Sequence, residues 1–350
     1  MSESPRSTSA SQESKSERID TASLQQPSGP PTGESFHDLP ILEPTNHPLV
    51  PTVEREYYES EVYEVPLLDL VTEAMADPDF SLLLEGETGT GKDTLLKHIC
   101  AETNRPVVRC SFGIDVTYEE LVGHYAPVPK TSASISEAYH ELKTEFDADD
   151  DIDVDDGDLV RVAGAGNDFQ WQDGLLTAAV RNGWTFIADE INAAEGETTM
   201  PLHGITEDEA NRELVIRETG EIITPHPNFT FCATMNPISY AGTNDLNDAF
   251  QRRFYTIPVD YLGFDEEVEL LVERTLLDDE AARTIVELAN DLRGALGEKL
   301  MTPISTRDLL KIGRLKDSMG LAQATHLVFD GVAHPSDGKQ VSRQIDLHIE

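Results

Sequence analysis

The chain has 350 residues, 39% of them hydrophobic, and sets 66 Asp and Glu against 26 Lys and Arg for a formal charge of -40. Such a length holds two domains and a sizeable core, while so large an acidic surplus argues against nonspecific binding to nucleic acid or to an anionic membrane surface. The acids are spread along the chain, which reads as a solvated carboxylate surface suited to high salt, as in a halophile, or else as an acidic binding surface.

Residues 1 to about 50 are rich in Ser, Pro, Glu and Gln and read as a disordered tail. The segment 62–76, VYEVPLLDLVTEAMA, has apolar residues at helical spacing, and DFSLLLEG (79–86) is a short apolar strand ending in Gly. After Lys92, residues Leu95, Leu96, Ile99 and Cys100 share one helical face. RPVVRCSF (105–112) is a second strand, followed by a helical segment around Tyr118 to Leu121. Segment 141–158 is so dense in Asp and Glu that it reads as an inserted solvated loop, and it lacks the spacing of a Ca²⁺ loop.

WTFIADE (184–190) is an apolar strand closed by two carboxylates. Segment 212–226 reads as a β-hairpin turning at Thr219-Gly220, FTFCATMN (229–236) as a buried strand and FYTIPVDY (254–261) as a fifth. Strands alternating with helices predict an α/β fold, a parallel sheet covered on both sides with its site at the C-terminal strand ends. From Asp265 to about Leu321 only amphipathic helical patterns remain, a separate helical lid. The expected division is a tail to 50, an α/β domain over 51–262, a lid over 263–325 and an extension over 326–350. Cys100, Cys110 and Cys232 form no C-x-x-C pair and read as small buried residues of a reducing cytoplasm. The chain has no long apolar run and no apolar leader, which predicts a soluble protein.

The chemistry gathers at few places. In GETGTGKDT (86–94), Gly86, Gly91 and Lys92 fit the phosphate-loop spacing G-x-x-x-x-G-K-[ST], but Asp93 stands where Ser or Thr is expected. The loop Gly86, Glu87, Thr88, Gly89, Thr90, Gly91 would bring its amides to phosphates, with Lys92 against the β/γ oxygens and Asp93 and Thr94 opening the helix. Asp189 can hold Mg²⁺ and Glu190 can orient an attacking water. Asn236 can bond the γ-phosphate or that water, or simply form a turn before Pro237. Arg252 and Arg253 could reach a neighbouring subunit's phosphate or balance an acidic face, and Arg307 could touch the nucleotide from the lid.

These pieces, in this order, resemble an AAA+ P-loop ATPase of the MoxR/CbbQ/NorQ/GvpN-type, dynein-related branch. The stretches that carry the likeness are GETGTGK, LVGHY, WQDGLLTAAVRNGWTFIADEIN, RELVIRETGEIITPHPNFTFCATMNP, LNDAFQRRF and ISTRDLL. The resemblance implies ATP and Mg²⁺ as cofactors, Lys92 as the Walker A lysine and Asp189 and Glu190 as the Walker B pair. It further implies Asn236 as sensor 1, Arg253 as the arginine finger, Arg307 as sensor 2 and hairpin 212–226 as the pre-sensor insertion. It also implies a hexameric ring acting on a client, often with a von Willebrand A-domain partner.

The departure is Asp93. A carboxylate suits Mg²⁺ as a hard oxygen ligand but adds negative charge beside a triphosphate, so Asp93 and Asp189 are the expected metal ligands and turnover is expected to persist, slowed. Two functions follow from different readings of Asp93: a remodelling ATPase, or a nucleotide-dependent assembly scaffold with little turnover. A DNA-directed motor fits the core but not the charge.

Overall fold

Each strand of the central sheet sends alternate side chains to opposite faces, and the sequence is apolar on both, so the sheet must be covered twice. In the computed structural model, which describes residues 24–52, 57–113, 116–127, 169–194, 198–236, 246–295, 300, 303–332 and 338–349, this is what occurs. In chain order the strands are β1 (Pro31–Phe36), β2 (Leu39–Leu42), β3 (Glu61–Val62), β4 (Val65–Pro66), β5 (Ser81–Glu85), β6 (Val107–Ser111) and β7 (Gly123–Pro127). They continue as β8 (Phe169–Asp173), β9 (Thr185–Asp189), β10 (Leu214–Ile216), β11 (Glu221–Ile223), β12 (Thr230–Met235) and β13 (Phe254–Pro258).

Five of them form one sheet in the order β13-β5-β12-β9-β6, and every pairing in it is parallel. On one face Leu82, Leu84, Ile187 and Cys232 pack with Leu95, Leu96 and Ile99 from the helix Lys92–Glu102 and with Leu67 and Val71 from the helix Leu67–Ala76. On the other, Leu83, Phe186, Ala188, Phe231 and Ala233 meet Leu176, Ala179 and Val180 of the helix Leu175–Asn182. The remaining strands pair antiparallel in twos, β1 with β2, β3 with β4, β7 with β8 and β10 with β11.

The helices Phe264–Arg274, Asp279–Ala295, Thr306–Met319, Leu321–Phe329 and Gly338–His348 share a third core, built on Leu271, Ile285, Leu288 and Ile312. Here three expectations need correction. The described residues of 326–350 are no separate extension: Phe329, Val341 and Ile345 are fully buried in the lid core.

Nor is the chain to residue 50 uniformly a tail. From residue 24 it is built into the α/β domain, with Leu39 and Leu42 buried. The reason is backbone pairing rather than apolar content. Ser28 N–H donates to Asn182 O at 2.8 Å, Val107 N–H to Leu49 O at 2.9 Å, and the indole N–H of buried Trp184 to Gln26 O at 2.9 Å. Asn228 adds its amide to Ser28 Oγ and Gly29 O at 3.1 and 2.9 Å. Residues 62–66, expected as helix, form the β3–β4 hairpin before the helix starts at Leu67. The acidic segment 141–158 lies outside the described residues.

Candidate functional site

β5 runs directly into the Gly-rich loop and the helix Lys92–Glu102, so the loop lies at the C-terminal edge of the sheet. Two glycines are required there by space. A side chain at Gly86 would collide with Val259 O, and one at Gly89, whose φ is +87°, with Ser305 Cβ. The second contact also places the lid directly over the loop, because Ser305 caps the lid helix Thr306–Met319.

Lys92 is buried and its ammonium is folded back into the loop, donating to Gly86 O, to Glu87 O at 2.9 Å and to Asn236 Oδ1 at 3.4 Å. Burial pulls its pKa down to about 8, opposed by Asp189, Glu87 and Glu190. Asn236 follows β12, which lies between β5 and β9, and its amide also donates to Glu190 Oε1 at 3.4 Å. Three adjacent strand ends therefore bring together Lys92, Asn236 and the Asp189–Glu190 pair. Thr90 is buried with its hydroxyl on Glu87 O at 3.0 Å, while Thr88 and Thr94 are exposed.

Asp189 ends β9 and is held by hydroxyls from Thr234 and from Ser111, the latter at 3.3 Å, and by the Arg109 guanidinium. Burial would raise its carboxyl, but these donors outweigh burial and hold it below the usual range, so it is an anion. Glu190 is exposed and takes a left-handed backbone, φ 54°, a strained conformation for a residue other than glycine. Thr234, Ser111 and Arg109 were not singled out by sequence reasoning. Each is an ordinary alternating strand position, and only the β6-β9-β12 neighbourhood reveals what it touches.

Asp93 opens the helix after the loop. Its Oδ2 pairs with Lys97 at 2.8 Å, and its Oδ1 is shut off from solvent with no hydrogen-bond partner among the described residues. That orphaned oxygen and the Asp189 carboxylate are a donor set suited to Mg²⁺, which takes one or two protein carboxylates and completes its shell with water and phosphate. Both carboxylates are of the donor type the ion takes, and the Arg109 guanidinium lies 3.7 Å from the same Asp93 oxygen.

Arg252 and Arg253 are not part of this cluster. They precede β13, whose Phe254 pairs with Ser81 at the start of β5, so they stand one strand length, roughly 17 Å, from the loop. Arg253 is held within the chain by Glu207 and by His203 Nδ1 at 2.7 Å, whereas Arg252 is exposed. Arg307 is exposed on the first turn of the helix that Ser305 seats against Gly89, hence on the loop side of the lid.

Comparison with known proteins agrees with this arrangement. Residues 81–254 match the family described as AAA domain (dynein-related subfamily), and residues 267–342 match the CbbQ/NirQ/NorQ C-terminal family. The chain is 30% identical to the protein NorQ of Paracoccus denitrificans over 237 residues, 68% of this chain and 73% of NorQ. It is 29% identical to the gas vesicle ATPase GvpN of Haloferax mediterranei over 227 residues, 64% of this chain and 58% of GvpN. Midasin of Dictyostelium discoideum is 27% identical over 74% of this chain, which spans only 4% of that protein. With its core and lid both matched and most of NorQ aligned, the chain belongs to the AAA+ ATPases of the MoxR/CbbQ/NorQ type.

Proposed function

We propose that the protein binds ATP with Mg²⁺, hydrolyses it, and uses the cycle to remodel a partner protein as a homo-oligomeric ring. The observation that supports this best is the convergence of Lys92, Asn236, Asp189 and Glu190 at three neighbouring strand ends beneath the lid. Lys92 exchanges the Gly86 and Glu87 carbonyls for phosphate oxygens, and the loop amides line the β-phosphate. Asp93 and Asp189 would hold Mg²⁺, which neutralises charge on the triphosphate and orients it. Glu190 polarises the attacking water, Asn236 orients it without adding charge, and Arg307 closes on the phosphates from the lid.

Arg253, or its exposed neighbour Arg252, completes the site of an adjacent subunit, since both lie a strand length from their own loop. A ring of six is carried over from the family likeness, as are a client and a von Willebrand A-domain partner. The hairpin β10–β11 offers a surface for such a client. Val215 and Ile222 sit directly opposite each other on it and are 45% and 62% exposed. No described helix is long and apolar enough to cross a membrane, and we place the work in the cytoplasm.

The scaffold reading draws on Asp93, which Lys97 and Arg109 already neutralise. Steady-state ATPase assays separate the two. The wild type should turn over in Mg²⁺, Glu190→Gln should bind ATP and lose turnover by at least about a hundredfold, and Lys92→Ala should lose binding. A wild type that binds but is as slow as Glu190→Gln would leave the scaffold.

A further inference from the structure

Arg109 lies on β6 in register with Ile187 of β9, at an outward position that the fold does not need for packing. Its guanidinium nevertheless has a defined place. Nη2 bonds Asp189 Oδ2, and Nε lies 3.7 Å from Asp93 Oδ1, the oxygen that no other described group satisfies. One cation thus stands between the two carboxylates that are the candidate Mg²⁺ ligands. Where the motif usually has a neutral hydroxyl, Asp93 adds a negative charge beside Asp189 and Glu190, and two like charges facing one gap repel unless a cation lies between them. Lys97 takes the outer oxygen of Asp93, and Arg109 takes the gap itself.

We propose that Arg109 is a built-in counter-ion of the Asp93–Asp189 gap, holding the two carboxylates together and yielding the gap when Mg²⁺ binds. Arg109 is then a positioning residue that sets how much Mg²⁺ the site demands, and it makes the Asp at position 93 tolerable. Being 41% exposed, its side chain has a path into solvent or toward the phosphates when it leaves. The inference rests on the nucleotide-binding reading above.

Removing the guanidinium should move two affinities in opposite directions, which a merely structural role would not do. Binding of a fluorescent ADP to the full chain is measured first in EDTA and then across a Mg²⁺ series, for wild type, Arg109→Gln and Arg109→Lys, each checked for wild-type thermal unfolding. In EDTA, Arg109→Gln should weaken ADP binding by about fivefold, because one positive charge near the phosphates is gone. Over the Mg²⁺ series its half-saturating concentration should fall by about fivefold, because the metal no longer competes with a resident cation. Arg109→Lys should lie between. If Arg109→Gln does not fold, Arg109→Met, which keeps the alkyl stem, reads the same two quantities. A Mg²⁺ midpoint that is unchanged or raised in the folded variant overturns the counter-ion role. Wild-type protein that binds ADP neither in EDTA nor at the top of the Mg²⁺ series would sink the nucleotide reading itself, and this inference with it.

Discussion

Glu267 is completely buried and faces the Arg293 guanidinium through two parallel bonds, Nη1 to Oε2 at 2.9 Å and Nη2 to Oε1 at 3.0 Å. The pair is the seat of the lid helix that overhangs the nucleotide loop. Thr306 Oγ1 donates to Glu267 Oε1 at 2.6 Å, Arg293 Nε donates to Ile304 O at 2.9 Å, and the guanidinium lies 3.9 Å from the Tyr261 ring centre. Breaking one side of such a pair leaves a buried charge without its partner. Glu267→Ala should therefore cost about 3 to 5 kcal/mol in urea unfolding, and Glu267→Gln nearly as much, since its amide NH2 would face the donating Arg293 Nη1 and it leaves the guanidinium without a counter-charge. Because Ser305 sits on Gly89, the same substitution should also weaken nucleotide binding, measured by calorimetry in urea-free buffer.

The two arginines before β13 make different predictions. If Arg253 serves a neighbouring subunit, it must leave Glu207 and His203 on assembly, and Arg253→Ala should abolish turnover while keeping ATP affinity. Mixing Arg253→Ala with Lys92→Ala protein should then restore part of the activity, since each defect lies in a different subunit of a shared site. Arg252→Ala should have a milder effect. The reverse pattern, with Arg252→Ala inactive and Arg253→Ala merely less stable, would transfer the role to the exposed residue.

Acid should destabilise the fold well before the carboxylates titrate. Burial lowers the pKa of His47, of His203 and of His226, with Arg253 adding to the effect at His203. Each is neutral when folded at a pH where the unfolded chain already binds a proton, so unfolding takes up protons as pH drops below about 6.5. Stability is thus full above that value and falls as pH drops through the window between each histidine's unfolded and folded pKa. His47, packed edge-on against Trp184 at 5.2 Å between ring centres, is the most enclosed. His47→Gln should flatten the slope of unfolding free energy between pH 6.5 and 5, in measurements about half a pH unit apart.

Salt should matter more than for a balanced surface. With a net charge of -40, self-repulsion opposes compaction until screening shortens its reach, so the unfolding midpoint should climb with KCl. Most of the gain is expected by about 1 M, where the Debye length is about 3 Å. Sucrose at matched osmolality controls for exclusion effects, and a flat KCl profile would remove the high-salt reading.

Much of the architecture was legible in the chain because the signals are local. SLLLE followed by a Gly-rich turn and a helical face names a strand, a phosphate loop and a helix within some twenty positions, and WTFIADE and FTFCATM are apolar runs of strand length. The 24–50 segment was misread because its order comes from backbone bonds to Asn182 and Val107 and an indole bond from Trp184, partners far along the chain. That the final helix belongs to the lid core was not legible, because its two buried residues, Val341 and Ile345, acquire meaning only beside Phe329 and the other lid helices.

The same division holds at the site. The sequence by itself determined the chemical inventory: a lysine after a glycine turn, two acids and an amide at strand ends, and the unusual Asp93, because a motif is a matter of residue type and spacing. Only the tertiary structure decided the pairings. The β6-β9 register set Arg109 between Asp93 and Asp189, the lid fold set Ser305 against Gly89, and Glu207 held Arg253 within the chain. Charge interactions and close contacts act through space at a few ångström, and no local pattern records which distant side chain will arrive there.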